Sequence, residues 1–249
     1  MGFVLALQFL TRLPVFGNTQ GDITSQDLAA SMAYFPLVGI FLGVIMAVGN
    51  SMAVLALPPS MVAVLIMAAL ILITGNLHWD GWMDTADGLL SGHHGERALA
   101  IMKDSRVGAS AVIWGCLGLI TQYVLLTRLL SLPTLQANAW LMATLAWSRW
   151  NAVVGTFMFP YARKTGGTAQ AFLDEISLRE VLISTTIATV FSALLIGWHT
   201  FTLLGTNLVV TTAIGKAAQK RLGGVTGDVL GAMIIAGELV GLFIGGGGL

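Results

Sequence analysis

PLVGIFLGVIMAVGNSMAVLAL, residues 36–57, runs without a single charged side chain. A helix crossing the hydrocarbon core of a bilayer needs about 20 such residues. Beyond two prolines a second uncharged run, 60–77, follows and ends directly against the polar string HWDGWMDTADG at 78–88. Five more stretches qualify or nearly qualify: 107–127, 135–156, 180–197, 200–215 and 229–247. The composition agrees, with 56% hydrophobic and 10% charged residues. A soluble domain carries about 25% charged residues, and so few charges cannot cover a water-facing surface.

The chain is therefore expected to be an all-α, polytopic integral membrane protein. It should have about seven transmembrane helices, and residues 1–249 should form one transmembrane unit. Residues 1–16 read as an amphipathic interfacial helix ended by Pro14, and Arg12 stands behind the apolar stretch, where a signal peptide would have its charge in front. Stretch 200–215 is short and follows 180–197 through Trp198-His199, which predicts a tight helical hairpin. The glycine pairs Gly39/Gly43, Gly227/Gly231 and Gly237/Gly241 have the spacing that lets membrane helices approach closely. Cys116, the single cysteine, lies in an apolar run and reads as a core residue. Zero net charge gives no electrostatic basis for nucleic-acid binding. Assembly into a homo-oligomer is compatible with the sequence.

Charge placement sets the orientation. Seven spans put 1–35, 78–106, 157–179 and 216–228 on one side, with Arg12, Arg97, Lys103, Arg106, Arg163, Lys164, Arg179, Lys216, Lys220 and Arg221. The other side holds only Arg128, while Arg149 falls inside a span. By the positive-inside rule the N-terminus is expected in the cytoplasm and the C-terminus outside, in an inner (plasma) membrane. Every Asp and Glu except Glu238 lies on the basic side or at its membrane edge. Acids have little topological bias of their own, so this one-sided accumulation points to a site.

Within HWDGWMDTADG, Asp80, Asp84 and Asp87 fall at i, i+4 and i+7, on one face of a helix. Like charges at this spacing repel, and a cation between them would remove the repulsion. Oxygen ligands without cysteines indicate Mg²⁺ or Mn²⁺ rather than zinc, and Mg²⁺ leaves positions open for water and phosphate. The other reading is a solvated acidic helix end with basic partners. His78 is either a proton carrier or a structural interface histidine, and His93 and His94 read as solvated loop residues.

Three further features complete the set. Lys103 and Arg106, one helical turn apart, either hold a diphosphate or anchor the chain at the membrane surface. Arg149, inside a span, requires a carboxylate, a cavity or a ligand phosphate, and Glu238 is the one acid deep in a span. In Gly223-Gly224-Val225-Thr226-Gly227-Asp228, the backbone of Gly224, Thr226 and Gly227 can form an anion-binding nest, while Asp228 either caps the next helix or holds a second metal.

Taken together, HWDGWMDTADG, MKDSRVG at 102–108, Ser148-Arg149 and GGVTGDVLGA at 223–232 follow FLTRLP at 9–14 and YFPLVG at 34–39. This arrangement resembles cobalamin synthase, the adenosylcobinamide-GDP ribazoletransferase family, from about Phe9 to Glu238. The family motif reads His-apolar-Asp-Gly-apolar-x-Asp-Thr-x-Asp-Gly, and every polar position is kept here. Ala109-Ser110 is a departure, since members often carry different small or aromatic residues at those places. The resemblance implies a Mg²⁺-dependent inner-membrane transferase that joins adenosylcobinamide-GDP to α-ribazole or its 5′-phosphate, releasing GMP. Asp80, Asp84 and Asp87 would then hold Mg²⁺, and Asp87 or His78 would accept the hydroxyl proton. Lys103, Arg106, Arg149 and the 224–228 loop would bind substrate. Two alternatives are a CDP-alcohol phosphotransferase-like lipid enzyme and a membrane transporter. The first wants an Ala-Arg pair that is missing here, and the second wants more ionisable groups at mid-membrane than Arg149 and Glu238.

Overall fold

The computed structural model describes residues 1–14, 23–163 and 175–248; Lys164 and the end of the expected 1–16 helix lie outside them. The elements are α1 (Gly2–Leu10), α2 (Ser25–Ser31) with a 3₁₀ turn (Met32–Tyr34), α3 (Phe35–Ala53), α4 (Pro59–Thr74) and α5 (Leu77–Leu90). They continue as α6 (Glu96–Ile101), α7 (Ala109–Leu130), α8 (Thr134–Met158), α9 (Leu178–Ile196), α10 (His199–Leu222) and α11 (Gly227–Phe243). Among the described residues the only β pairing is an isolated parallel bridge between Tyr161 and Val225.

Local chemistry sets the ends. Capping boxes open α2 (Thr24 with Asp27) and α9 (Ser177 with Glu180), and left-handed Gly75 and Gly223 close α4 and α10. The expected hairpin at Trp198-His199 is present, but its second arm is 24 residues long. α1 ends at Leu10, short of Pro14, and buries Leu5, Ala6, Leu7 and Leu10.

α8 is the central post, packed on α3, α9, α10 and α11. A Cβ on Gly39 would lie 2.1 Å from the Leu145 carbonyl oxygen, so α3 and α8 meet backbone to backbone. Gly237 of α11 likewise faces Asn151 and Ser148 of α8. Polar side chains tie the helices internally, as where Trp147 donates to Ser192 (2.9 Å) and Trp150 to Thr185 (2.8 Å). Arg149, 1% exposed, pairs with Glu238 across α8 and α11, and Gln122 of α7 donates to the same carboxylate (3.0 Å). Of the alternatives open for Arg149, the structure therefore holds the ion pair.

The outer faces of α3, α4, α7 and α9 expose Val48, Leu72, Ile120 and Leu194, as expected where lipid is the solvent. Cys116 is exposed on α7 rather than buried in the core, because its side of that helix is the apolar outer face.

Among the described residues, Ser25–Ala53, Ala109–Leu130, Leu178–Ile196 and Gly227–Gly247 are long and apolar enough to cross a membrane. The α4–α5 pair adds a fifth if it is counted as one broken span, bent by 88°. The expected count of seven is not established by these measures. At 16 residues α4 is short, and α8 and α10 are long but carry buried polar groups such as Asn151, Asn207 and Thr211. Helices sheltered by other helices need not be apolar all round. α5 turns by 88° from α4 and packs along α7, where Trp79 meets Gly118 and Met83 meets Gly115.

Loops expected on the basic side do meet at one end. Arg12 N–H donates to Ile73, Gly95 N–H to Arg221, and Val225 N–H to Pro160.

Removing one partner of a buried ion pair costs about 3–5 kcal/mol, whereas replacing both by apolar groups is often near neutral. Glu238→Ala should therefore lower thermal stability in detergent sharply. Arg149→Met combined with Glu238→Met should recover most of the loss.

Candidate active site

Two consecutive left-handed residues, Gly75 (φ 62°) and Asn76 (φ 64°), form the corner between α4 and α5. Asparagine is among the few side chains that tolerate this conformation. The corner swings Asp80, Asp84 and Asp87 along the exposed end of the bundle, all on α5 as their spacing predicts.

A second element comes in at Gly81. A Cβ there would lie 2.6 Å from the Asp228 carbonyl oxygen, so α5 and the start of α11 touch through their backbones. The contact brings Asp228 beside Asp84. Burial pushes the Asp84 carboxyl up to about 7, with further increments from Asp80, Asp228 and Asp87 and an opposing one from Arg163.

The four acids differ in their partners. Asp87 accepts the backbone N–H groups of Gly108 and Ala111, both at 2.8 Å, and so caps α7 from a distance in sequence. Asp228 accepts from Arg163 (3.0 Å) and from the Thr226 hydroxyl (3.2 Å), and Thr226 caps α11 by accepting Val229 N–H. Asp80 and Asp84 accept no hydrogen bond among the described residues. No three acidic, histidine or cysteine side chains among those residues are arranged to enclose a metal ion. Magnesium, however, is held through one or two carboxylates with water and phosphate completing its shell. Two unpartnered carboxylates fit that donor set.

The other expected site residues divide. His78 is 3% exposed, and its Nε2 has no partner among the described residues. Gly227 begins α11 and is exposed, whereas Gly224 is buried, its Cβ position only 2.2 Å from the Pro160 carbonyl oxygen. The missing side chain at Gly224 thus accommodates the Tyr161–Val225 pairing. Lys103 and Arg106 lie on an exposed loop, and Arg106 grips its neighbour Asp104 (2.7 Å). The Gly108 N–H to Asp87 hydrogen bond and the packing of Met102 on Gly88 tie their loop to α5. Arg149 is committed to Glu238. His94 meets Arg221 at 2.8 Å.

Arg163 belongs to the cluster yet was read only as an anchoring charge. The Tyr161–Val225 bridge that delivers it to Asp228 is a long-range pairing with no local signature. A cavity of about 670 Å³ opens beside Asp80 and Asp228 under α1, bordered by His78, Arg12, Phe35 and Ile234.

Comparison with known proteins agrees with this geometry. A family model described as cobalamin-5-phosphate synthase matches residues 2–245. A protein of Desulforamulus reducens named adenosylcobinamide-GDP ribazoletransferase is 40% identical over 95% of this chain and 91% of its own. Proteins of the same name from Klebsiella pneumoniae (34%) and Escherichia coli (32%) align over 96% of both chains. No solved structure matches. The chain belongs to the cobalamin-5-phosphate synthase family.

Proposed function

We propose that this chain is an adenosylcobinamide-GDP ribazoletransferase. A hydroxyl of α-ribazole, or of its 5′-phosphate, attacks the phosphorus nearer the cobinamide in adenosylcobinamide-GDP. The new O–P bond forms as the bond to the GMP phosphate breaks, giving adenosylcobalamin or its 5′-phosphate and free GMP. The observation that carries this reading is the Asp80–Asp84–Asp87–Asp228 cluster beside a small-molecule cavity, in a chain matched by the family along nearly its whole length.

Asp80 and Asp84 are the groups that would hold Mg²⁺, whose charge would offset that of the diphosphate and of the departing phosphate. Arg163, held beside Asp228, adds positive charge from the protein at the same place. His78 borders the cavity, which supports it as acceptor of the hydroxyl proton. Asp87 acts through position: it fixes the start of α7, and with it the loop carrying Lys103 and Arg106. The one-sided basic loops support a cytoplasmic site in an inner membrane. No observation favours a lipid phosphotransferase or a transporter.

Detergent-purified protein given adenosylcobinamide-GDP and α-ribazole should release GMP with Mg²⁺ and stop with chelator. Metal-independent release would contradict the metal assignment, and no release in detergent or liposomes would contradict the reaction. Asp84→Ala should lower GMP release by about 10²-fold or more at unchanged membrane yield.

Asp87→Ala should cost about 1 kcal/mol through loss of the α7 cap. It should also speed tryptic cleavage after Lys103 and Arg106, whereas a purely chemical role for Asp87 would leave proteolysis unchanged.

A further inference from the structure

The cavity under α1 has a chemical asymmetry that the reaction alone does not require. Its volume of about 670 Å³ suits one small molecule, since such sites span about 300–1,000 Å³. Much of its lining is apolar: Leu10, Met32, Phe35, Leu230 and Ile234 border it, and Phe9 stacks on Phe35 with ring centroids 5.9 Å apart. Asp80 and Asp228 border it too. Arg12 stands at the rim, exposed, its backbone N–H bound to Ile73 (2.7 Å) and its side chain lying over Gly75. The Arg12 guanidinium has no acidic partner among the described residues.

We propose that this cavity is the acceptor pocket, seating the benzimidazole base of α-ribazole against the Phe35–Ile234 wall, with its ribose towards Asp80 and a 5′-phosphate on Arg12. The inference rests on the ribazoletransferase reading and assigns one of its two substrates to a place. Guanine is excluded from the apolar wall because its edge is lined with hydrogen-bond donors and acceptors, and burying these unpaired is costly. An alkylated benzimidazole linked to ribose has one free ring nitrogen and otherwise apolar edges, so it gains from the same wall. The corrin ring with its peripheral amides is larger than a pocket of this class and stays outside. The unpaired Arg12 charge at the rim suits a phosphate through forked, charge-assisted hydrogen bonds.

The test separates the pocket from the reaction. Binding of radiolabelled α-ribazole and of its 5′-phosphate to purified protein is measured by equilibrium dialysis, without the corrinoid substrate. Leu28, half-buried on the cavity wall, is replaced by Trp to fill the space, and Ile234→Trp provides a second, deeper block. Both blocks should weaken binding of both acceptors by about tenfold or more while leaving the KM for adenosylcobinamide-GDP unchanged. Arg12→Gln should weaken the 5′-phosphate by about tenfold and leave α-ribazole unchanged. Should Ile234→Trp fail to fold, Leu28→Trp and Arg12→Gln decide the matter. Unaltered acceptor binding in Leu28→Trp, or a raised KM for adenosylcobinamide-GDP instead, overturns the assignment. Wild-type binding that Leu28→Trp blocks, without any GMP release, upholds the pocket and refutes the reaction.

Discussion

A guanidinium inside a membrane helix has to be neutralised, and here that requirement organises the bundle. Arg149 of the central helix α8 meets Glu238 of α11, with Gln122 of α7 on the same carboxylate. Three helices are thereby locked in rotation as well as in contact. Gly237, the residue before Glu238, lets α11 close against Ser148 and Asn151 of α8. The first turn of α11 meets α5, admitted by Gly81, and Asp228 there also pairs with Arg163.

The site follows from the same packing. α5 turns at the Gly75-Asn76 corner and packs against α11 and α7, so that Gly81 meets Asp228 at the start of α11 and Asp87 meets Gly108 at the start of α7. Burial, with the neighbouring Asp80, Asp228 and Asp87, then raises the proton affinity of Asp84. A fold that gathers carboxylates against their own repulsion loses stability unless another ligand offsets the cost. The backbone approach at Gly81, the cap from Asp87 to α7 and the Arg163–Asp228 pair hold the cluster together until substrate arrives.

Much of this was legible in the sequence because the signals were local. Uncharged runs such as 36–57, the i, i+4, i+7 aspartates and the glycine pair Gly237/Gly241 each act through neighbouring residues on one helix. The resemblance carried the family for the same reason, since its motifs are short strings. What escaped depended on distant partners. Arg163 reaches Asp228 through a strand-like bridge between residues 161 and 225, and Gly224 makes room for that bridge. Asp87, expected to hold metal with its two helical neighbours, also accepts amides more than twenty positions along the chain. The count of seven spans is not established, because hydrophobic length does not separate helices in lipid from helices such as α8 that are shielded by protein.

The central claim is that Asp80 and Asp84 form a divalent-cation site completed by substrate phosphates. Mn²⁺ in place of Mg²⁺ reports on it directly, because free Mn²⁺ gives a strong EPR signal that is lost on binding. Titration of purified protein with Mn²⁺ in the presence of adenosylcobinamide-GDP should show tight uptake by the wild type. Asp84→Asn should weaken that uptake by about tenfold or more. Equal Mn²⁺ affinity in the two proteins would contradict the account.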